Sequence, residues 1–155
     1  MRILVIIPAF NEARSIGRVI GDIPEGLVEE VIVVNNASTD ETEQNARAAG
    51  ATVLREDRRG YGWACRCGIE YARKRNPDAV VFLDGDYSDH PDEMGALVAP
   101  IERQEARCGA FQPGGHRRDV HRDVVRVGVI AALRKLVICI EGLILRRRIP
   151  EERID

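Results

Sequence analysis

Two kinds of apolar pattern take turns along this chain. Unbroken apolar runs rich in β-branched residues occur at 3–7, 31–34 and 79–83. Runs of that length suit strands buried on both faces of a parallel sheet. The first is expected to stop at Pro8. Between the runs, apolar residues return at helical spacing: Ile16, Val19, Ile20 and Ile23 predict a helix over Ala13 to Asp22, broken by Pro24 and Gly26. Ser38-Thr39-Asp40-Glu41 has the form of a capping box, with Ser38 as the cap and Glu41 returning the bond. A second helix is expected from there to Ala49, ended by Gly50. Ala51 to Leu54 reads as a short strand. Gly60-Tyr61-Gly62 opens a third helix to Arg75, closed by Asn76-Pro77, and Pro91 suits the first turn of a fourth that reaches Arg103.

The order βαβαβαβα predicts an α/β fold: a mostly parallel, Rossmann-like sheet with helices on both faces. Ligands bind such sheets outside the carboxyl ends of the strands, where the strand order reverses. The distinctive polar residues fall at those ends: Asn11 and Glu12, Asn35 and Asn36, Asp57 to Gly62, and Asp84 with Asp86. After Glu105 the character changes. Residues 106–115 show no clear period, and no further strand is legible beyond the fourth helix. Residues 116–123 are a charged run, and 124–145 are apolar and read as a C-terminal helix that ends in Arg146-Arg147-Arg148. The expected division is a ligand-binding domain over 1–105 and a divergent or truncated segment over 106–155.

Composition narrows the class. The chain has 155 residues, 45% hydrophobic and 31% charged, which suits one globular domain with a real core. A formal net charge of −2 gives no reason to expect a nucleic-acid partner. Four cysteines in a chain of this length make no disulfide framework, so free buried or half-buried thiols are expected. No run approaches a membrane span, and the expected location is cytoplasmic. The 124–148 stretch could lie peripherally on a membrane, pack on the domain or form an oligomer contact.

Asp84-Gly85-Asp86 carries the sharpest chemistry. Residues i and i+2 of an extended segment point the same way, so both carboxylates can face one cation. Hard cations such as Mg²⁺ commonly share a few carboxylates with substrate phosphates. Asp-Gly-Asp is also good turn chemistry, so the pair alone decides little.

All four strand ends together resemble the family 2 glycosyltransferases of GT-A fold, and most of all their polyprenyl-phosphate mannosyl- and glucosyltransferase branch. The motifs are Ile7-Pro8-Ala9-Phe10-Asn11-Glu12, Val33 to Asp40 with its Asn35-Asn36 corner, Arg59-Gly60-Tyr61-Gly62-Trp63-Ala64, and Leu83-Asp84-Gly85-Asp86 through Pro91. They cover roughly the first two-thirds of the chain. The resemblance implies a sugar moved, with inversion, from a nucleotide-diphosphate sugar to an acceptor such as a polyprenyl phosphate. It implies Asp84 and Asp86 as catalytic metal ligands for Mg²⁺ or Mn²⁺. It implies donor contacts from Pro8, Ala9, Asn11, Glu12, Asn35, Asn36, Asp40, Arg59, Gly60, Gly62 and Asp84. The family often carries aspartate at 35 or 36; asparagine here still both donates and accepts.

Plainer readings stand beside these. Asn11 and Glu12 could cap the first helix. Asp40 could serve the dipole of the second. Tyr61 and Trp63 could stack on a base or sugar, but core packing is the commoner fate. Asp89 and Asp92 are candidate bases for a hydroxyl acceptor; His90 suits a satisfied loop position. Two alternatives to a transferase follow: a nucleotide-sugar-binding module without turnover, or an inactive fragment of a longer enzyme.

Overall fold

The computed structural model describes residues 1–103, 108–111 and 127–131. The chain runs β1 (Ile3–Ala9), α1 (Ile16–Gly21), β2 (Glu30–Asn35), α2 (Thr42–Ala48), β3 (Thr52–Arg55), α3 (Tyr61–Arg75), β4 (Ala79–Phe82), a 3₁₀ turn (Pro91–Glu93), α4 (Met94–Glu102), β5 (Cys108–Phe111) and β6 (Val127–Ala131). The sheet order is β3-β2-β1-β4-β6-β5. β1 to β4 are mutually parallel, while β6 runs antiparallel to β4 and β5 antiparallel to β6.

Every residue of β1 is buried. Ile3, Val5 and Ile7 face one core with Ile16, Val19 and Ile20 of α1, Ala46 of α2, and Leu97, Val98 and Ile101 of α4. Leu4 and Ile6 face the other core with Ala64, Cys65, Ile69 and Ala72 of α3. An unbroken apolar run is what a strand covered on both faces requires. The approach of α3 is tight: a Cβ on Gly68 would come within 2.5 Å of Ile6 Cγ2, so the position takes no side chain without movement.

Four expectations are corrected. β1 does not stop at Pro8; it continues to Ala9, with Pro8 paired to Val34. β4 has its last pairs at Phe82 and at Leu83 N, which donates to Ile6 O. Pro8, two residues beyond Ile6, turns its missing N–H to the side where β4 has already ended, so no ladder bond is lost. The Ser38–Glu41 capping box does not form. α2 starts at Thr42, and Ser38 Oγ instead accepts from Asn11 N at 3.0 Å. α1 starts at Ile16 rather than Ala13, after a turn in which Ser15 N and Ile16 N both donate to Glu12 O. Finally, Cys108–Phe111 is a strand where none was legible, and Val127–Ala131 is a strand inside the stretch read as a C-terminal helix. A short apolar run with Val127, Val129 and Ile130 fits a buried strand as well as a helix, and periodicity does not separate them. The rest of 124–145, like Arg146 to Arg148, His116 and His121, lies outside the described residues. No helix among the described residues is long and apolar enough to cross a membrane.

Candidate active site at the switch point of the sheet

β2 and β3 lie on one side of β1, and β4 lies on the other. The loops leaving β1 and β4 therefore diverge, and a crevice opens between them. A cavity of about 480 Å³ sits there, lined by Pro8, Ala9, Phe10, Glu12, Asn36, Arg59, Gly60, Tyr61, Ala64 and Asp84-Gly85-Asp86. Of the residues expected to contact a donor, Pro8, Ala9, Glu12, Asn36, Arg59, Gly60, Asp84 and Asp86 come together in it. Asn11, Asn35, Asp40 and Gly62 do not line it; Asn11 and Asp40 border a second pocket beside α2.

The polar residues at the ends of β1 and β2 are largely engaged with the chain itself. Asn36 is buried, and its Nδ2 donates to Glu56 O at 3.0 Å and Arg58 O at 2.7 Å while its Oδ1 accepts from Gly60 N at 2.7 Å. This one amide shapes the loop that presents Arg59. Asn35 Oδ1 accepts from Ser38 N at 3.0 Å, and its Nδ2 donates to Glu43 at 3.1 Å. Asp40 accepts from Ala13 N at 3.1 Å, from Thr42 N at 3.0 Å and from the Thr42 hydroxyl. Desolvation pushes that carboxyl up, but the hydroxyl and amide of Thr42 and the amide of Ala13 outweigh it and hold it below its ordinary value. Asn11 adopts φ 58° and binds across to the β2 loop, its Oδ1 accepting from Thr39 N at 2.8 Å.

Arg59 and the aromatic side chains form the opposite character of wall. Its guanidinium lies 4.7 Å from the centroid of the Phe10 ring. Phe10, Tyr61 and Trp63 are all exposed, against the expectation that Tyr61 and Trp63 pack in the core. Arg58 covers Trp63 at 4.0 Å and pairs with buried Glu56 at 2.6 Å. That guanidinium, with the Arg58 amide, holds the Glu56 carboxyl well down, at about 2. Phe10, Ala64 and Gly85 are cavity walls not named as ligand contacts from the sequence, and Tyr61, weighed as a stacking residue, joins them. Tyr61 and Ala64 share one face at i and i+3 of the helix opened by Gly60, which is the signal that could have found them.

At the end of β4 the turn is held tightly. Asp84 N donates to Asp89 Oδ2 at 2.9 Å, and Ser88 N donates to Asp86 Oδ1 at 2.8 Å. Asp89 is thus buried and bonded to the Asp84 backbone, a structural place for a residue weighed as a base; Asp92 is exposed at the 3₁₀ turn. A Cβ on Gly85 would lie 3.2 Å from Glu12 Cγ and 3.5 Å from Pro8 O, so a larger residue here would require the Glu12 side chain to give by a few tenths of an ångström. Among the described residues no three His, Cys, Asp or Glu side chains gather to hold a metal by themselves. Two carboxylates on one turn, open to a cavity, instead fit an ion that takes its remaining ligands from phosphate and water. Ser88 Oγ, next to this turn, is the one buried side-chain polar atom without a hydrogen-bond partner among the described residues. Cys65 and Cys67 are free thiols, Cys65 buried. Desolvation pushes the Cys65 thiol up to about 12, which leaves it inert.

A mostly parallel sheet with a paired-carboxylate cavity at its switch point is an α/β architecture of the GT-A kind. The chain belongs to glycosyl transferase family 2, whose family model matches residues 4–140. That match runs past Glu105, where the motif resemblance stops. It is 30% identical over 123 residues to an undecaprenyl-phosphate mannosyltransferase of Micrococcus luteus, covering 74% of this chain and 51% of that protein. It is 39% identical over 111 residues to a glucosyl-3-phosphoglycerate synthase of Mycolicibacterium paratuberculosis, covering 64% of this chain and 33% of that one. The crystal structure of glucosyl-3-phosphoglycerate synthase from Mycobacterium tuberculosis with Mn²⁺, UDP-glucose and phosphoglyceric acid matches with a TM-score of 0.69 at 30% identity, over 84% of this chain and 56% of that chain. The chain spans about half the length, or less, of the curated relatives it matches.

Proposed function

We propose that this chain binds a nucleoside-diphosphate sugar in the cavity between the β1 and β4 loops and transfers the sugar to an acceptor. The observation that carries this is the meeting of Asp84 and Asp86 with the Pro8–Glu12 loop and Arg59 around one cavity. Asp84 and Asp86 would hold Mg²⁺ or Mn²⁺. When bound, the cation neutralises charge on the departing nucleoside diphosphate. The rest falls to the chain's own groups. Pro8, Ala9 and Phe10 form an apolar wall for base and ribose. The Asn35-Asn36 corner serves by shaping loops, since the amides of both residues bond within the chain. Arg59 brings positive charge to the diphosphate. Donor contact by Asn11, Asp40 or Gly62 has no support from the cavity's lining.

For the acceptor we favour a polyprenyl phosphate. A phosphate is already an anion at neutral pH and needs no general base. Asp89 is bonded to the Asp84 amide, and the acids lining the cavity are Glu12, Asp84 and Asp86. A cytoplasmic protein that meets its lipid acceptor at the membrane surface fits this reading. The second reading is donor binding without turnover, favoured by a cavity whose lining includes Pro8, Glu12, Arg59 and the Asp84–Asp86 turn, all read as donor-side.

Calorimetry with UDP and GDP, with and without Mn²⁺, tests donor binding. Release of nucleoside diphosphate from UDP-glucose and GDP-mannose, with polyprenyl phosphate or 3-phosphoglycerate present, tests turnover. Release that requires the lipid phosphate supports the favoured reading. Release with 3-phosphoglycerate reassigns the acceptor, and binding without release supports the module. A folded protein that binds neither nucleotide sinks both readings.

A further inference from the structure

Ser15 stands at the N-cap position of α1, where a serine hydroxyl ordinarily accepts from an amide of the first turn. Here the side chain makes no cap bond. The hydroxyl instead donates to Gly85 O at 2.7 Å, to a residue 70 positions away. Glu12 Oε2 lies 3.1 Å and Glu12 O 3.3 Å from the same oxygen. A hydroxyl has one proton to share among these three acceptors, and Gly85 O is the nearest of them. A favourable local bond is forgone for a long-range one, and that bond lands on the residue between Asp84 and Asp86.

The surroundings give the bond its meaning. Gly85 faces Pro8 and Ala9 at the end of β1 and Glu12 just beyond it, all three of which line the cavity. The same helix, α1, holds the turn at a second point. Tyr87, at φ 65°, donates its hydroxyl to Asp22, and Arg18 lies 3.8 Å over its ring. Ser15 is the side-chain bridge from the start of α1 to the middle of the carboxylate turn, with the Glu12 carboxylate at the same oxygen. We propose that Ser15 is a positioning residue: it sets the spacing between the Pro8–Glu12 loop and the Asp84–Asp86 pair, and so couples nucleotide binding to metal binding. This rests on the donor-site reading above.

The test is calorimetry of the full chain with UDP and GDP, each with and without Mn²⁺, for the wild type, Ser15→Ala and Ser15→Thr. The quantity read is the gain in nucleotide affinity on adding Mn²⁺. Loss of one neutral hydrogen bond predicts that Ser15→Ala loses about three- to tenfold of that gain. Its metal-free nucleotide affinity should stay at the wild-type value. Ser15→Thr, which keeps the hydroxyl, should restore the gain. An unchanged gain in Ser15→Ala overturns the proposal, and so does equal weakening with and without Mn²⁺, which a purely structural role would produce. If the wild type is folded but shows no Mn²⁺-linked nucleotide binding, the donor-site reading itself fails. Should Ser15→Ala not fold, Ser15→Cys reads the same ratio with a near-isosteric, weaker donor.

Discussion

The two ends of the sheet solve different problems. At the amino end, surface ion pairs close the structure. Arg2 binds Glu29 through two nitrogens at 2.8 and 3.1 Å, its amide donates to Asp78 at 2.7 Å, and its guanidinium reaches Arg75 O at 3.0 Å. At the carboxyl end, polar side chains are buried and backbones are strained. Asn35, Asn36, Glu56 and Asp89 are buried there, and Asn11, Ala37 and Tyr87 hold φ of 58°, 58° and 65°. For Ala37 and Tyr87 that region costs about 1–2 kcal/mol each, and less for an asparagine such as Asn11. Stability comes from the apolar strands that join the two ends. The carboxyl end takes some of it back to hold loops in one arrangement around a cavity.

That contrast can be broken hardest at the carboxylates. Asp86→Ala should weaken Mn²⁺-linked nucleotide binding on the order of a hundredfold, with a small change in melting temperature, read by calorimetry and thermal melting. A large loss of stability with binding intact would invert the assignment. Next comes Asn36→Ala, which leaves three backbone groups around residues 56–60 without their partner. We expect about 2–3 kcal/mol of destabilisation in urea titration, together with weaker nucleotide binding. If only stability moves, the loop it holds is not part of the donor site.

Acid sharpens the same contrast. Glu43 is held down to about 2 by Arg55, Arg47 and Asn35, and Glu56 to about 2 by Arg58, against an ordinary 4.5 for each. Carboxyls lowered in the folded state stabilise it above the unfolded value. That contribution is therefore lost as pH falls from about 4.5 towards about 2. Denaturant titrations across that window should show the fall, and Arg58→Ala should flatten it. Smaller still is Ala37→Gly: relief of a left-handed alanine should stabilise by about 0.5–1 kcal/mol. Arg2→Ala, at the amino end, should cost less than about 1 kcal/mol and leave nucleotide binding unchanged.

Much of this was legible in the chain because burial on two faces leaves a plain mark. Ile3 to Ile7, Val31 to Val34 and Ala79 to Leu83 can hardly be other than central strands, and the polar residues that follow them had to share one edge. What was not legible depends on partners distant in sequence. Ser38 and Glu41 have the right spacing for a capping box, but Asn11, 27 residues earlier, takes the Ser38 hydroxyl. Nothing near Asn36 tells that its amide will bind residues 56, 58 and 60. Tyr61 and Trp63 look like core residues until α3 is seen to turn Ala64, Cys65 and Gly68 inward instead. Val127–Ala131 was misread because five apolar residues carry too little periodicity to choose between helix and strand.

The position of β1 also has a consequence for how the protein is made. β1 pairs with β2 on one side and β4 on the other, and the second pairing cannot form until residues 79–82 have been made. At about 5–20 residues per second, the run Ile3–Ile7 waits roughly 4–15 seconds for that neighbour. During this interval one of its hydrogen-bonding edges can pair with any strand at hand, including the same segment of another nascent chain. The strand that anchors the finished sheet is thus a segment that gains from cover on one edge during synthesis.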